Sequence, residues 1–202
     1  MSVEDTRTYC NCMEEVRQRV GAVKWLVAGN RLMHQDFFLS AELVFLQLRK
    51  ILELIAFASL TANREKYSAA CANWGDHWKA RKMLEALEEL NPDFYPVPLD
   101  APVVLPNGNK HFARPSDGFM TKDEFVRLYD CSHEILHARN PFSSKDPVTQ
   151  IGYTVDVWVA RIQRLLAWHL MHLVDGDKWV VTIPQDGPVR VLQATPFLTE
   201  LR

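Results

Sequence analysis

The chain contains no run of about 20 uncharged apolar residues, the length a membrane-spanning helix requires. Its most apolar stretch, Phe37 to Asn63, is interrupted by Arg49, Lys50 and Glu53. A strong excess of either charge is also absent. The net charge of −2 gives no global pull toward nucleic acid, so RNA or DNA would need a local basic patch. Cysteine is scarce: Cys10, Cys12, Cys71 and Cys131 are too few for a disulfide scaffold. Cys10 and Cys12 are separated by one residue rather than the two of zinc knuckles and redox motifs, so reduced thiols are expected. The opening segment, MSVEDTRTYCNCMEEV, has no basic stretch leading into an apolar one. Nothing in it marks secretion, and a cytoplasmic location is the expectation. Low-complexity tracts and internal repeats are missing too.

What is present reads as one domain over residues 1–202, able to bury roughly 70% of its unfolded surface. The Phe37–Asn63 stretch is apolar almost all the way round a helix, with Val44, Leu48, Ile51, Ile55 and Leu60 on several faces. Glu42, Arg49 and Glu53 share one narrow stripe. Such a helix belongs at the centre of a bundle. A first helix is expected from about Cys12 to Ala28, on the spacing of Val16, Val20, Val23 and Val27, with Gly29-Asn30 as its stop. A weaker helical stretch follows at Arg64 to Ala72. Asp76 then caps a helix whose face is Ala80, Met83, Leu84, Leu87 and Leu90, ended by Asn91-Pro92.

Residues 91–118 hold six of the eleven prolines and form a proline-rich insert. Within it, Asn107-Gly108 is a turn that can close a hairpin between Val103–Leu105 and His111–Ala113. A long irregular connection of this kind is either partner-facing or a cover over the bundle. Phe94, Tyr95 and Phe112 would suit anchoring of a partner. Thr121 and Glu124 make a capping box for a helix carrying Phe125, Leu128, Tyr129 and Leu136 inward and ending near Asn140-Pro141. Asp146-Pro147 is expected to open a last long helix with the stripe Val148, Ile151, Val155, Trp158, Ile162, Leu165 and His169, stopped by Gly176. Trp179–Ile183 and Val189–Leu192 flank Gln185-Asp186-Gly187, giving an appended hairpin over 178–194. The fold class is mainly α with minor β.

Two motifs carry possible chemistry. His133-Glu134-Ile135-Leu136-His137 matches the H-E-x-x-H pattern, in which two imidazoles one helical turn apart grip Zn²⁺ and the glutamate activates water. A third ligand would have to be His169, His172 or Asp156, since the only later glutamate is Glu200. The extended form of the motif fails at Asn140 and Ser143, and the flanks Asp130 and Arg139 are charged. The plain alternative is a pair of histidines at a helix C-terminus, where positive charge suits the dipole.

The second motif is Arg164-Leu-Leu-Ala-Trp-His169, with Arg161 and His172 close in sequence. Together with the central helix LQLRKILELIAFASL, it resembles the HEPN superfamily of small helical nucleases and nucleotide-binding proteins. The resemblance covers the helical framework and leaves out the insert and final hairpin. It implies an up-and-down bundle, a homodimer, and a stress or phage-defence setting in which a partner protein regulates activity. It also implies a metal-independent endoribonuclease site needing no cofactor, with Arg164 and His169 catalytic and Arg161 and His172 holding RNA. His169 would move the proton of the ribose 2′-OH or the leaving oxygen, and Arg164 would neutralise charge on the phosphate. Leu165 departs from the polar residue common after that arginine. His169 also sits on the apolar stripe, where a hydrogen-bonded core histidine is the commoner outcome. Three readings result: ribonuclease, non-catalytic dimeric interaction module of the same fold, and zinc hydrolase.

Overall fold

The computed structural model describes residues 3–28, 37–64, 80–138, 142 and 151–194. Helix α1 spans Val3–Ala28 and α2 spans Phe37–Ala62. Asp5 pairs with Arg64 at 3.3 Å while Arg19 donates to Gln47 at 2.8 Å, so the two helices run antiparallel. Helix α1 begins nine residues before the expected Cys12. Its opening looks polar, yet Asp5 and Tyr9 extend the buried stripe of Met13, Val16, Val20 and Val23 by one turn each. Asp5 stays buried because Arg64 neutralises it, and Glu4 and Asp5 suit the positive end of the helix dipole.

Helix α2 is the central rod: Val44, Leu48, Ile51, Ile55 and Leu60 are all buried. It packs against α1, α3 (Ala80–Leu90) and α4 (Lys122–Leu136). Leu39, Leu43 and Leu46 form the strip it leaves exposed. Helix α3 buries Leu84 and Leu87 and stops at Asn91, whose N–H closes on Leu87 O at 2.8 Å before Pro92. The capping box of α4 is present, with Glu124 N–H on the Thr121 hydroxyl and Thr121 N–H on the Glu124 carboxylate. That helix ends at Leu136, and His137 is already extended.

The C-terminal third departs from expectation. Helix α5 covers only Val155–Leu166, and Ile151 lies before it. Residues Trp168–His172, expected to continue this helix, form strand β4. Strand β5 (Lys178–Thr182) and β6 (Arg190–Ala194) make the anticipated hairpin, but it is no appendage. With β1 (Val97–Pro98) from the insert, the strands form an antiparallel sheet in the order β1-β4-β5-β6. Trp179 and Val181 of β5 are core residues, and Trp179 meets Tyr9 of α1 edge-on with ring centroids 5.5 Å apart. Gly176 closes the β4–β5 turn with φ 90°, a backbone region that favours glycine. Within the insert, β2 (Val103–Val104) pairs with β3 (Lys110–His111), as Asn107-Gly108 anticipated. The molecule is thus mainly helical with a small C-terminal sheet. The expected Arg64–Ala72 helix beyond Arg64, the Gly29-Asn30 stop, Asp76, Asn140-Pro141, Asp146-Pro147 and Val148, and the side chains of Ala80 and Met83, lie outside the described residues. Among the described residues no helix is long and apolar enough to cross a membrane.

Candidate functional site

The Arg-x4-His element does not lie on one helix. Arg164 is in the last turn of α5, whereas His169 is the second residue of β4. Strand geometry turns His169 to the helix-facing side of the sheet, where it is completely buried. Its Nδ1 lies 2.9 Å from Leu166 O and its Nε2 lies 2.7 Å from the Tyr9 hydroxyl. A carbonyl only accepts, so Nδ1 carries the hydrogen and Nε2 accepts from the tyrosine. Burial lowers the imidazole to about pH 4, against a weaker raising effect from the Leu166 carbonyl. Tyr9 is held well above its usual range, first by burial and then by Cys12 and Cys10. The pair is a neutral, satisfied node joining α1 to the sheet.

The three cation or imidazole partners assigned to it point elsewhere. Arg164 pairs with Asp100 in the insert, both side chains roughly two-fifths exposed. Arg161 forks onto Glu124, with Nη2 at 2.8 and 2.7 Å from the two carboxylate oxygens. Glu124 is only 4% exposed and also accepts from Thr121 N–H and the Tyr153 hydroxyl. Burial works to raise that carboxyl, but Arg161, Thr121 and Tyr153 outweigh it and hold it below the ordinary range. Arg161 also lies over the Tyr153 ring at 5.0 Å. This is a structural clamp between α4 and α5. His172 is half-buried on β4; burial and Lys178 lower its pKa, while Asp93 opposes them.

His133 and His137 do meet, with ring centroids 4.2 Å apart in an edge-to-face arrangement. The helix ends between them, however, and Arg49 Nη1 lies 3.2 Å from His133 Nδ1. The same guanidinium donates to Glu53 and to the Tyr129 hydroxyl, both at 3.1 Å. The charged stripe of α2 therefore meets α4 through Arg49, while its Glu42 is exposed. Among the described residues no group of three or more histidine, cysteine or acidic side chains is placed to hold a metal ion. His169, named as a third ligand, is committed to Tyr9 and Leu166. Burial pushes the Cys12 and Cys131 thiols up to about 11, so neither is a ready nucleophile.

The insert offers a different surface. Phe94 is fully buried, Phe112 meets Trp168 at a 50° tilt with ring centroids 5.7 Å apart, and Tyr95 is half-buried with its hydroxyl on Met120 O. The expected aromatic anchors thus belong to the fold. The exposed apolar residues are instead Val103 (62%), Val104 (65%) and Leu105 on the β2–β3 hairpin. Asp100 N–H to Ala113 O at 2.9 Å ties the stems of that hairpin. Beside the stems lies a groove of about 410 Å³ walled by Pro92, Pro96, Pro98, Pro115, Tyr95 and Phe119. Sequence reasoning missed the two valines because alternation on a short hairpin does not say which face has a core behind it. No protein-family model, no curated protein and no solved structure matches the chain, which leaves these side chains as the ground for a functional reading.

Proposed function

We propose that this chain is a non-catalytic, dimeric interaction module on a HEPN-like helical framework, with a protein partner seated on the 91–118 insert. One observation carries the reading. Val103 and Val104 stand exposed on a two-stranded hairpin beside a proline-walled groove, where apolar surface gains nothing until another chain covers it. The assigned catalytic set gives negative support: Arg161, Arg164 and His169 each have a partner within the chain. The antiparallel α1–α2 pair flanked by α4 supports the HEPN-like framework, while the four-stranded sheet goes beyond an up-and-down bundle.

The test has two arms. Chemical cross-linking through Lys110, an exposed amine on β3, should capture a defined protein partner that the Val103→Asp/Val104→Asp variant loses while keeping its circular dichroism. Capture of the same set by the variant rejects the insert as the surface. In the second arm, single-stranded and transfer RNA should survive incubation with the protein in EDTA. Cleavage that disappears in both Arg164→Ala and His169→Ala would restore the endoribonuclease reading.

A further inference from the structure

The two edges of the four-stranded sheet are built in opposite ways. Edge strand β1 is two residues long and contains Pro98, with Pro96 just before it, to block further pairing. Edge strand β6, Arg190-Val-Leu-Gln-Ala194, is five residues long and contains neither proline nor lysine. Short length, proline and charged side chains are usual guards of a sheet edge; β6 has neither of the first two, and its one charge, Arg190, stands at its start. Among the described residues no strand pairs on its outer side.

The register shows which backbone groups point outward. Ile183 N–H donates to Ala167 O and Leu173 N–H donates to Asp177 O, so β5 uses its odd-numbered residues to bond β4. Its even-numbered residues then bond Arg190, Leu192 and Ala194 of β6. Val191 and Gln193 direct their N–H and C=O away from the sheet. Helix α1 takes the next outward group along, since Glu14 accepts from Val189 N–H at 2.7 Å. The open edge begins just beyond that contact.

The side chains on the sheet face opposite His169 and Val181 form a second pattern, buried at Val180 and opening toward β6. Val97, Leu170, Val180 and Leu192 are register partners in succession across all four strands. This apolar row runs straight to the open edge, where Leu192 is 49% exposed. We infer that β6 pairs antiparallel with β6 of a second copy of this chain, with the two-fold axis at Leu192. Val191 and Gln193 of each copy then exchange about four backbone hydrogen bonds, and Leu192 faces Leu192 of the partner subunit in the closer, non-hydrogen-bonded position. The apolar row becomes continuous across both sheets. Arg190 falls opposite an alanine, and the two Arg190 side chains lie about 13 Å apart along the strands, beyond the Debye length of about 8 Å at physiological salt. Self-pairing therefore sets no like charges face to face.

This specifies the dimer part of the proposed function and is independent of the insert surface. The test is sedimentation velocity over a range of concentrations, with residue-level amide exchange on the full chain. The expected result is a species of twice the 23.3 kDa chain mass. Amides of Val191 and Gln193 should gain protection as concentration rises, while Arg190, Leu192 and Ala194 stay protected throughout. Leu192→Lys, at a half-exposed site, should leave circular dichroism unchanged and weaken the dimer by about ten-fold or more, because it sets like charges directly opposite each other. A monomer at every concentration overturns the inference. So does protection of Val191 and Gln193 that ignores concentration, which would mean that the chain's own residues cover the edge. A dimer that survives Leu192→Lys but falls apart in Leu43→Glu would move the interface to the exposed strip of α2. Val103→Asp/Val104→Asp should keep the dimer, so a variant that still captures the partner protein rejects only the insert surface.

Discussion

The Tyr9 hydroxyl donates to His169 Nε2 at 2.7 Å, across 160 residues of sequence and with both side chains fully buried. A hydrogen bond of this kind fixes the neutral imidazole as an acceptor at Nε2 and, at Nδ1, as a donor to the Leu166 carbonyl. It also makes the fold sensitive to acid.

His169 titrates near 4 in the folded chain, below the ordinary value of about 6.5. The unfolded chain therefore takes up a proton first as pH falls. Stability from this residue is complete above about pH 6.5 and declines as pH drops toward 4, by about 3 kcal/mol in all. Urea unfolding at pH 7.5 and pH 4.5, compared between wild type and His169→Gln, should show that loss in wild type and most of it missing in the variant. Equal pH slopes would reject the buried-neutral assignment. Tyr9→Phe, which orphans Nε2, should cost about 1–3 kcal/mol at neutral pH.

The two arginines of α5 should behave differently despite their similar spacing. Arg161 faces a carboxylate with almost no solvent access, so Arg161→Leu leaves Glu124 charged and buried and should cost about 3–5 kcal/mol. Arg164 and Asp100 are both part-exposed, and Arg164→Ala should change stability by less than about 1 kcal/mol. Chemical denaturation of the two variants side by side checks the order. Because the folded state holds Glu124 below the ordinary carboxylate range, its contribution is present above the unfolded pKa and is lost as pH falls through the folded one.

Zinc binding should be weak. The Arg49 guanidinium donates to His133 and sets a positive charge beside any cation held by His133 and His137. Metal analysis after dialysis against zinc should find well under one ion per chain, and Arg49→Ala should raise rather than lower the uptake. Stoichiometric zinc in wild type would revive the hydrolase reading.

Asn63 and Asn91 join three elements. Asn91 Nδ2 donates to His172 O at 2.8 Å, and Asn63 Oδ1 accepts from Val174 N–H at 3.1 Å and from Asn91. Asn91→Ala removes donors from a buried site and should cost about 1–3 kcal/mol, read as a lower midpoint in urea with an unchanged slope.

Where a local rule needs no distant partner, the sequence was a good guide. The capping box at Thr121 and Glu124, the Asn91-Pro92 stop and the Asn107-Gly108 hairpin all follow from side chains meeting their own backbone nearby. The apolar residues of α2 likewise announced a central helix, because a rod with few polar faces has to be enclosed. The site was far less legible. Leu165 to His169 is a helical step in sequence, but no glycine or proline marks the end of α5 at Leu166, and His169 completes the stripe by number alone.

The amino-acid order by itself determined the bundle core, its caps and its turns, since each depends on periodicity or on groups a few residues apart. Only the tertiary structure decided that Trp168–His172 is a strand, because that choice depends on hydrogen bonds to β1 and β5 rather than on any local preference. The same long-range pairing turned His169 inward to Tyr9 and left Val191 and Gln193 facing out. A strand residue's surroundings are set by which neighbours complete the sheet, and no spacing rule within one segment contains that information.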